Sequence, residues 1–177
     1  MDELFNFEHT ERALQEYGER VAAAYREKMR GSGHFTLSPE TLINRVDVIV
    51  QKGGTSISVG LRLADYWKYI EYGTRPHWPP KGALLPWIEA KPLLPQPDEN
   101  GRIPTPEQLD FLIRRAIAGQ SPNQSQLRNP EGGTLGTHDL EQSITEINAQ
   151  YVEYISDAVA QDIDEFTTAQ IMLLMGG

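Results

Sequence analysis

The last forty residues constrain this chain most. From about Thr137, Leu140, Ile144, Ile147, Tyr151, Ile155, Ala158 (or Val159), Asp162 (or Ile163) and Phe166 recur at spacings of three and four. That spacing predicts a helix whose apolar stripe drifts slowly around its axis. A helix running to residue 172 would be about 50 Å long at 1.5 Å per residue, more than a chain of this size needs for its own core. Its first half, through Ile155, reads as a core helix. Its distal half sets Asp162, Asp164 and Glu165 around Ile163 and Phe166 and ends in "IMLLM", with Ile171 in it. That half is expected to pack against another subunit.

A second amphipathic helix opens the chain. In "TERALQEYGERVAAAYREKMRGSG" the residues Leu14, Tyr17, Val21, Ala24, Tyr25 and Met29 share a face, and Gly31 ends the run. "LSPETLINR" follows, with Ser38 as N-cap and Pro39 at the first position of a short helical turn. The period then changes to two. Val46, Val48 and Val50 alternate, as do Ile57, Val59 and Leu61, with Lys52-Gly53-Gly54 as the turn signal between them. This predicts a β-hairpin, which needs helices or further strands on one face to be stable in water.

Residues 63–72 fit a short helix or a strand; Tyr66, Tyr69 and Ile70 keep helical spacing, which favours the helix. A short helix begins near Leu85 with Pro86 in its first turn. Residues 91–104 form a Pro-rich loop bearing an Asn-Gly turn. Thr105, Pro106 and Gln108 spell a capping box for a helix whose apolar face is Leu109, Leu112, Ile113, Ala116 and Ile117, with Gly119 as its stop. Residues 120–136 are rich in Asn, Gln, Pro and Gly and read as a mobile polar loop. The elements together predict one α+β domain over 1–177: a small antiparallel sheet, its hairpin at about 46–61, flanked by long N- and C-terminal helices.

Composition narrows the function classes. The chain is 39% apolar and 23% charged, the balance of a soluble globular protein. Zero cysteines remove disulfides and thiolate chemistry. A net charge of −9, with the basic residues scattered, argues against a general nucleic-acid binder. It is compatible with an acidic wall that DNA slides past. No apolar run approaches the roughly 20 residues that span a bilayer. The acidic start "MDELFNFEHTER" lacks the pattern of a signal peptide, so synthesis in a cytoplasm is expected.

The densest run of chemically informative residues is "YIEYGTRPHWPP", residues 69–80. His9, His34, His77 and His138 are isolated in sequence, without the local pairing usual among metal ligands. Glu71 and His77 flank Gly73 and could move a proton. Against that, Glu71 is well placed to pair with Arg75 across the glycine turn, with His77 packed among prolines. No nucleophile elbow or phosphate-cradling glycine loop is present. No catalytic residue, metal or cofactor is therefore assigned.

As backbone, Gly73 can reverse the chain after Tyr72. Arg75 precedes Pro76 and Trp78 precedes Pro79, which pushes both towards extended conformations. Residues 75–80 should form a stiff strut, near polyproline in character. Such a strut loses little entropy on docking, and Tyr, Trp and Arg are favoured interface anchors. The competing reading is a connector whose aromatics cover the core. The contact residues expected on the interface reading are Tyr69, Glu71, Tyr72, Gly73, Thr74, Arg75, Pro76, His77, Trp78, Pro79 and Pro80, together with Ile163, Phe166 and Ile171 of the last helix.

"YIEYGTRPHWPPKGALLPWI" resembles the Tyr-x-x-Tyr-hydrophobic-Glu-aromatic-Gly-Thr signature of the tail-completion (minor tail, head–tail joining) proteins of tailed bacteriophages. Glu71, Tyr72, Gly73 and Thr74 supply its core, preceded by Tyr66, Tyr69 and Ile70. "GGTLGTHDLEQSI" is similar to the segment that opens the last helix in that family, with Gly133, Gly136, Thr137, Leu140 and Ile144 in place. "LDFLIRRAIAG" looks like the helix before it, so the resemblance runs in order over about residues 10–165. The Pro-rich insertion at 91–104 departs from compact members.

The resemblance implies a non-enzymatic virion protein in the neck or tail. It would form a homo-oligomeric ring at the head–tail junction, touching connector and tail proteins, with DNA passing through and no sequence-specific DNA contact or membrane. A tail terminator capping the tail tube is the alternative within that class. A small hydrolase using Glu71, His77 and His138 is the alternative from outside it.

Overall fold

A computed structural model describes residues 6–31, 42–54, 56–90, 95, 97, 101–127 and 129–175. The predicted cap at Ser38 and Pro39, and most of the Pro-rich loop 91–104, lie outside the described residues. The elements run in the order α1 (Glu8–Gly31), a 3₁₀ turn (Leu42–Asn44), β1 (Asp47–Lys52), β2 (Ile57–Arg62), α2 (Trp67–Glu71) and β3 (Gly73–Thr74). There follow α3 (Leu85–Ala90), α4 (Pro106–Ile117), a second 3₁₀ turn (Gln124–Gln126), β4 (Thr134–Leu135) and α5 (Asp139–Met175). The α+β class expected from the sequence is the one observed, with long terminal helices and a small antiparallel sheet. The chain groups into two compact units, one built from residues 1–65 and 139–177 and the other from 66–138.

In the first unit α1 is the central element, packing against both strands of the hairpin and against α5. Covering on two sides explains why its buried set is wider than one stripe. Ala13, Gly18 and Ala22 are buried beside Val21, Tyr25 and Met29, while Leu14, Tyr17 and Ala24 are only half-buried. Tyr25 and Met29 are fully enclosed, each worth about 1.5–3 kcal/mol of burial. The hairpin pairs Val48 with Leu61 and Val50 with Val59, so the alternating residues fall on one face. Lys52 pairs with Ile57, so the connection is 53–56, closed by Gly53 N–H donating to the Ser56 carbonyl at 2.7 Å. Gly18 sets how closely the hairpin lies on α1: a Cβ there would stand 2.5 Å from Val48 Cγ1 and 2.9 Å from Val59 Cγ2.

α5 has 37 residues, about 55 Å. Its buried positions include Leu140, Ser143, Ala158 and Asp162, with Ile147, Tyr151, Ile155 and Phe166 half-buried between and beyond them. Two expectations change. Ser143, not Ile144, holds the inward position after Leu140: its hydroxyl donates to the Asp139 carbonyl at 2.7 Å, so it is buried with its polar atom satisfied. Burial also continues past Ile155 as far as Asp162. Tyr17 and Tyr151 meet with ring centroids 6.1 Å apart, and the Tyr151 hydroxyl donates to Glu16 at 2.9 Å. Burial raises the Tyr151 phenol above its ordinary pKa, and the bond to Glu16 adds to the shift.

The second unit contains α3 packed on α4, and the short ladder of β3 with β4. The capping box of α4 forms as its sequence spells it. Thr105 Oγ1 accepts from the Gln108 N–H at 3.4 Å, and Gln108 Oε1 accepts from the Thr105 N–H at 2.9 Å. Gln124 shapes the segment after α4, donating to the carbonyls of Ala116 (3.2 Å) and Asn129 (3.1 Å) and accepting from Ser121 N–H (3.0 Å).

Candidate interaction site

The two segments that carry the family-like signature, about sixty residues apart in sequence, lie side by side. β3 and β4 pair antiparallel, Gly73 opposite Leu135 and Thr74 opposite Thr134, with the two threonine hydroxyls 3.0 Å apart. The ladder is extended by Thr137 N–H donating to the Ile70 carbonyl (3.0 Å) and His138 N–H to the Glu71 carbonyl (3.1 Å). Glycine is a steric requirement here. A Cβ on Gly73 would lie 2.1 Å from the Thr134 oxygen, and one on Gly133 would lie 2.1 Å from the Thr74 oxygen. A Cβ on Gly136 would likewise lie 2.2 Å from the Glu71 oxygen. Gly73 and Gly133 also have φ of 75° and 77°, a region side chains resist.

Beyond β3 the strut is clamped by one turn of α4. Asp110 is 3% exposed and accepts from the N–H groups of Gly82 (3.1 Å) and Leu84 (3.3 Å). Arg114, one turn on, pairs with Asp110 at 3.5 Å and donates from Nε to the Pro79 carbonyl at 2.7 Å. Its guanidinium also lies over the Trp78 ring, 5.6 Å from the centroid, and Phe111 packs near the same ring at 6.3 Å. Sequence reasoning missed Asp110 and Arg114. The signal available was an acid–base pair at i,i+4 beside the apolar face of a strongly capped helix.

The clamp leaves most of the strut outside. Tyr69 (64%), Tyr72 (60%) and Trp78 (44%) are exposed, as are Arg75, Pro76, His77 and Pro80. Gly73 and Thr74 are half-buried in the ladder, and Pro79 is buried under Arg114. The expected Glu71–Arg75 pair does not form: Glu71 is buried, Arg75 points outward, and no ion pair joins them among the described residues. His77 is exposed, and its Nδ1 lies 2.9 Å from the Arg75 carbonyl. Glu71 instead brings a carboxylate oxygen within 4.8 Å of a ring nitrogen of His138, whose ring meets Tyr72 edge-on at 6.0 Å.

On α5, Ile163 and Ile171 are about half exposed and Phe166 is half-buried. A second cluster of titratable groups, His9 with Asp162 and Glu165, lies on α1 and α5. Its geometry is that of a helix cap supplied from a distant segment. Asp162 Oδ1 accepts from His9 N–H at 3.0 Å, and Oδ2 accepts from Thr10 N–H at 2.8 Å and from the Thr10 hydroxyl at 2.6 Å. These N–H groups belong to the first turn of α1, which has no intrahelical partners for them. Burial alone would raise the Asp162 carboxyl; the bonds from Thr10 and His9 outweigh it and hold the group below its ordinary pKa. His9 Nε2 lies 2.9 Å from Glu165 Oε1 at the rim.

No protein-family model, characterised protein or solved structure matches this chain. A functional reading therefore rests on its own residues and their arrangement.

Proposed function

We propose that this chain is a structural protein of a tailed-phage virion, a ring subunit at the head–tail junction that joins the capsid connector to the tail. The observation that carries the reading is the β3–β4 ladder. Glu71–Thr74 and Gly133–Thr137, the two segments that resemble the tail-completion signature, meet in one ladder, with glycines at three positions where a Cβ would collide with the facing backbone. The rigid clamp of Asp110 and Arg114 supports it further, because a preorganised strut with exposed Tyr, Trp and Arg binds with little ordering cost. The exposed apolar end of α5 is in keeping with a chain that completes its burial on assembly.

The test is to locate the chain in images of the intact particle, with labelled antibody or by density at side-chain resolution. A ring of this subunit between connector and tail is the expected result. A chain that never enters purified particles overturns the reading.

A further inference from the structure

Charge is segregated along this chain in a way that pairs its two exposed apolar surfaces with each other. α5 carries eight Asp and Glu residues and no Lys or Arg. On its distal half Val152, Val159 and Ile163 are exposed and fall within about 40° of the helix circumference at 100° per residue. Glu153, Asp157 and Asp164 form a parallel exposed row about 120° round the same helix. Residues 66–88 have the opposite character. Their only carboxylate, Glu71, is buried, whereas Lys68, Arg75 and Lys81 are exposed beside Tyr69, Tyr72 and Trp78. None of these three cations or three anions is in an ion pair with another described residue.

We infer that the distal face of α5 in one copy docks on the 68–81 surface of a second copy of this chain. The inference rests on the ring reading above and specifies how its subunits join. Two α5 faces brought together would oppose carboxylates to carboxylates, a repulsive arrangement in either direction. Acid–apolar against base–aromatic is complementary in both charge and hydrophobicity. Because the two surfaces are different, the contact is heterologous, and repeating it generates a closed ring or an open polymer. Each copy keeps one free surface of each kind until closure.

Sedimentation of the full chain over a concentration series tests this with two charge-reversed variants, Lys68→Glu/Arg75→Glu and Asp157→Lys/Asp164→Lys. The wild type should associate, and roughly tenfold or more weaker in 0.5 M salt than in 0.05 M, since exposed charges are screened. Each variant alone should stay monomeric. Mixed one to one, the two should associate again, as copies of the two variants in alternation. One contact joins the new lysines on α5 of one variant to the new glutamates on the 68–81 surface of the other, and the next joins the unaltered α5 and 68–81 surfaces, which match as in the wild type. A wild type that stays monomeric at every concentration and salt overturns the inference. So does an α5 variant that stays monomeric while the Lys68→Glu/Arg75→Glu variant associates like wild type, which would mark α5–α5 pairing. Heterologous association into open filaments, by a chain absent from particles, would keep the contact and defeat the ring reading alone.

Discussion

Asp162 and Thr10, 152 residues apart in sequence, are joined twice: the carboxylate accepts both the backbone N–H and the hydroxyl of the threonine, at 2.8 and 2.6 Å. The start of α1 is thus capped by a residue near the far end of α5. Replacing Asp162 with Asn removes the charge and one of the two acceptor oxygens. A loss of about 1–3 kcal/mol is expected in urea unfolding at pH 7.

The same carboxylate gives a pH signature. Its folded pKa is depressed below the ordinary 3.8, so its contribution is fully present above that value. The contribution is lost as pH falls through the lower, folded value. The stability gap between wild type and Asp162→Asn should be flat from about pH 5 to 7 and shrink below about 3.8. A gap that instead grew in acid would contradict the direction of the shift.

Asp110 and Arg114 hold the strut. Asp110→Ala leaves two N–H groups, those of Gly82 and Leu84, without their acceptor. About 1–3 kcal/mol of local stability should go. Hydrogen exchange is the direct measurement: Gly82 and Leu84 amides should exchange faster, while amides in α1 stay as they were.

Gly73→Ala should disrupt the β3–β4 ladder, because its Cβ has no room beside the Thr134 oxygen and the backbone has φ of 75°. A cost of roughly 2–4 kcal/mol is expected. Loss of the Thr134 and Leu135 resonances from their strand positions in NMR would report it.

At Gly18 the obstacle is side chain, so it can be relieved. Gly18→Ala should destabilise by about 1–3 kcal/mol through overlap with Val48 and Val59. Adding Val48→Ala should recover part of that loss, and a double-mutant cycle in thermal unfolding measures the coupling.

What was legible in the sequence was local. The α4 capping box, the α3 start at Leu85 and the hairpin alternation depend on residues within a few positions of one another, and all three appear as written. The short helix α2 was legible only as a preference, since five residues hardly separate the two periods. Errors came where a distant partner decides or where a polar side chain satisfies itself. Ser143 takes an inward place because its hydroxyl can bond within its own helix, a satisfaction that an apolar stripe does not encode. Asp162 stood in the apolar stripe as an alternative to Ile163, and its reason for being there, the α1 terminus, is invisible without the fold. Asp110 and Arg114 likewise serve backbone groups some thirty residues away.

The cap from Asp162 has a consequence for synthesis. Thr10 leaves the ribosome long before its partner, which follows 152 residues later, and at about 5–20 residues per second that takes roughly 8–30 s. For that time α1 has its first turn open and one flank without α5.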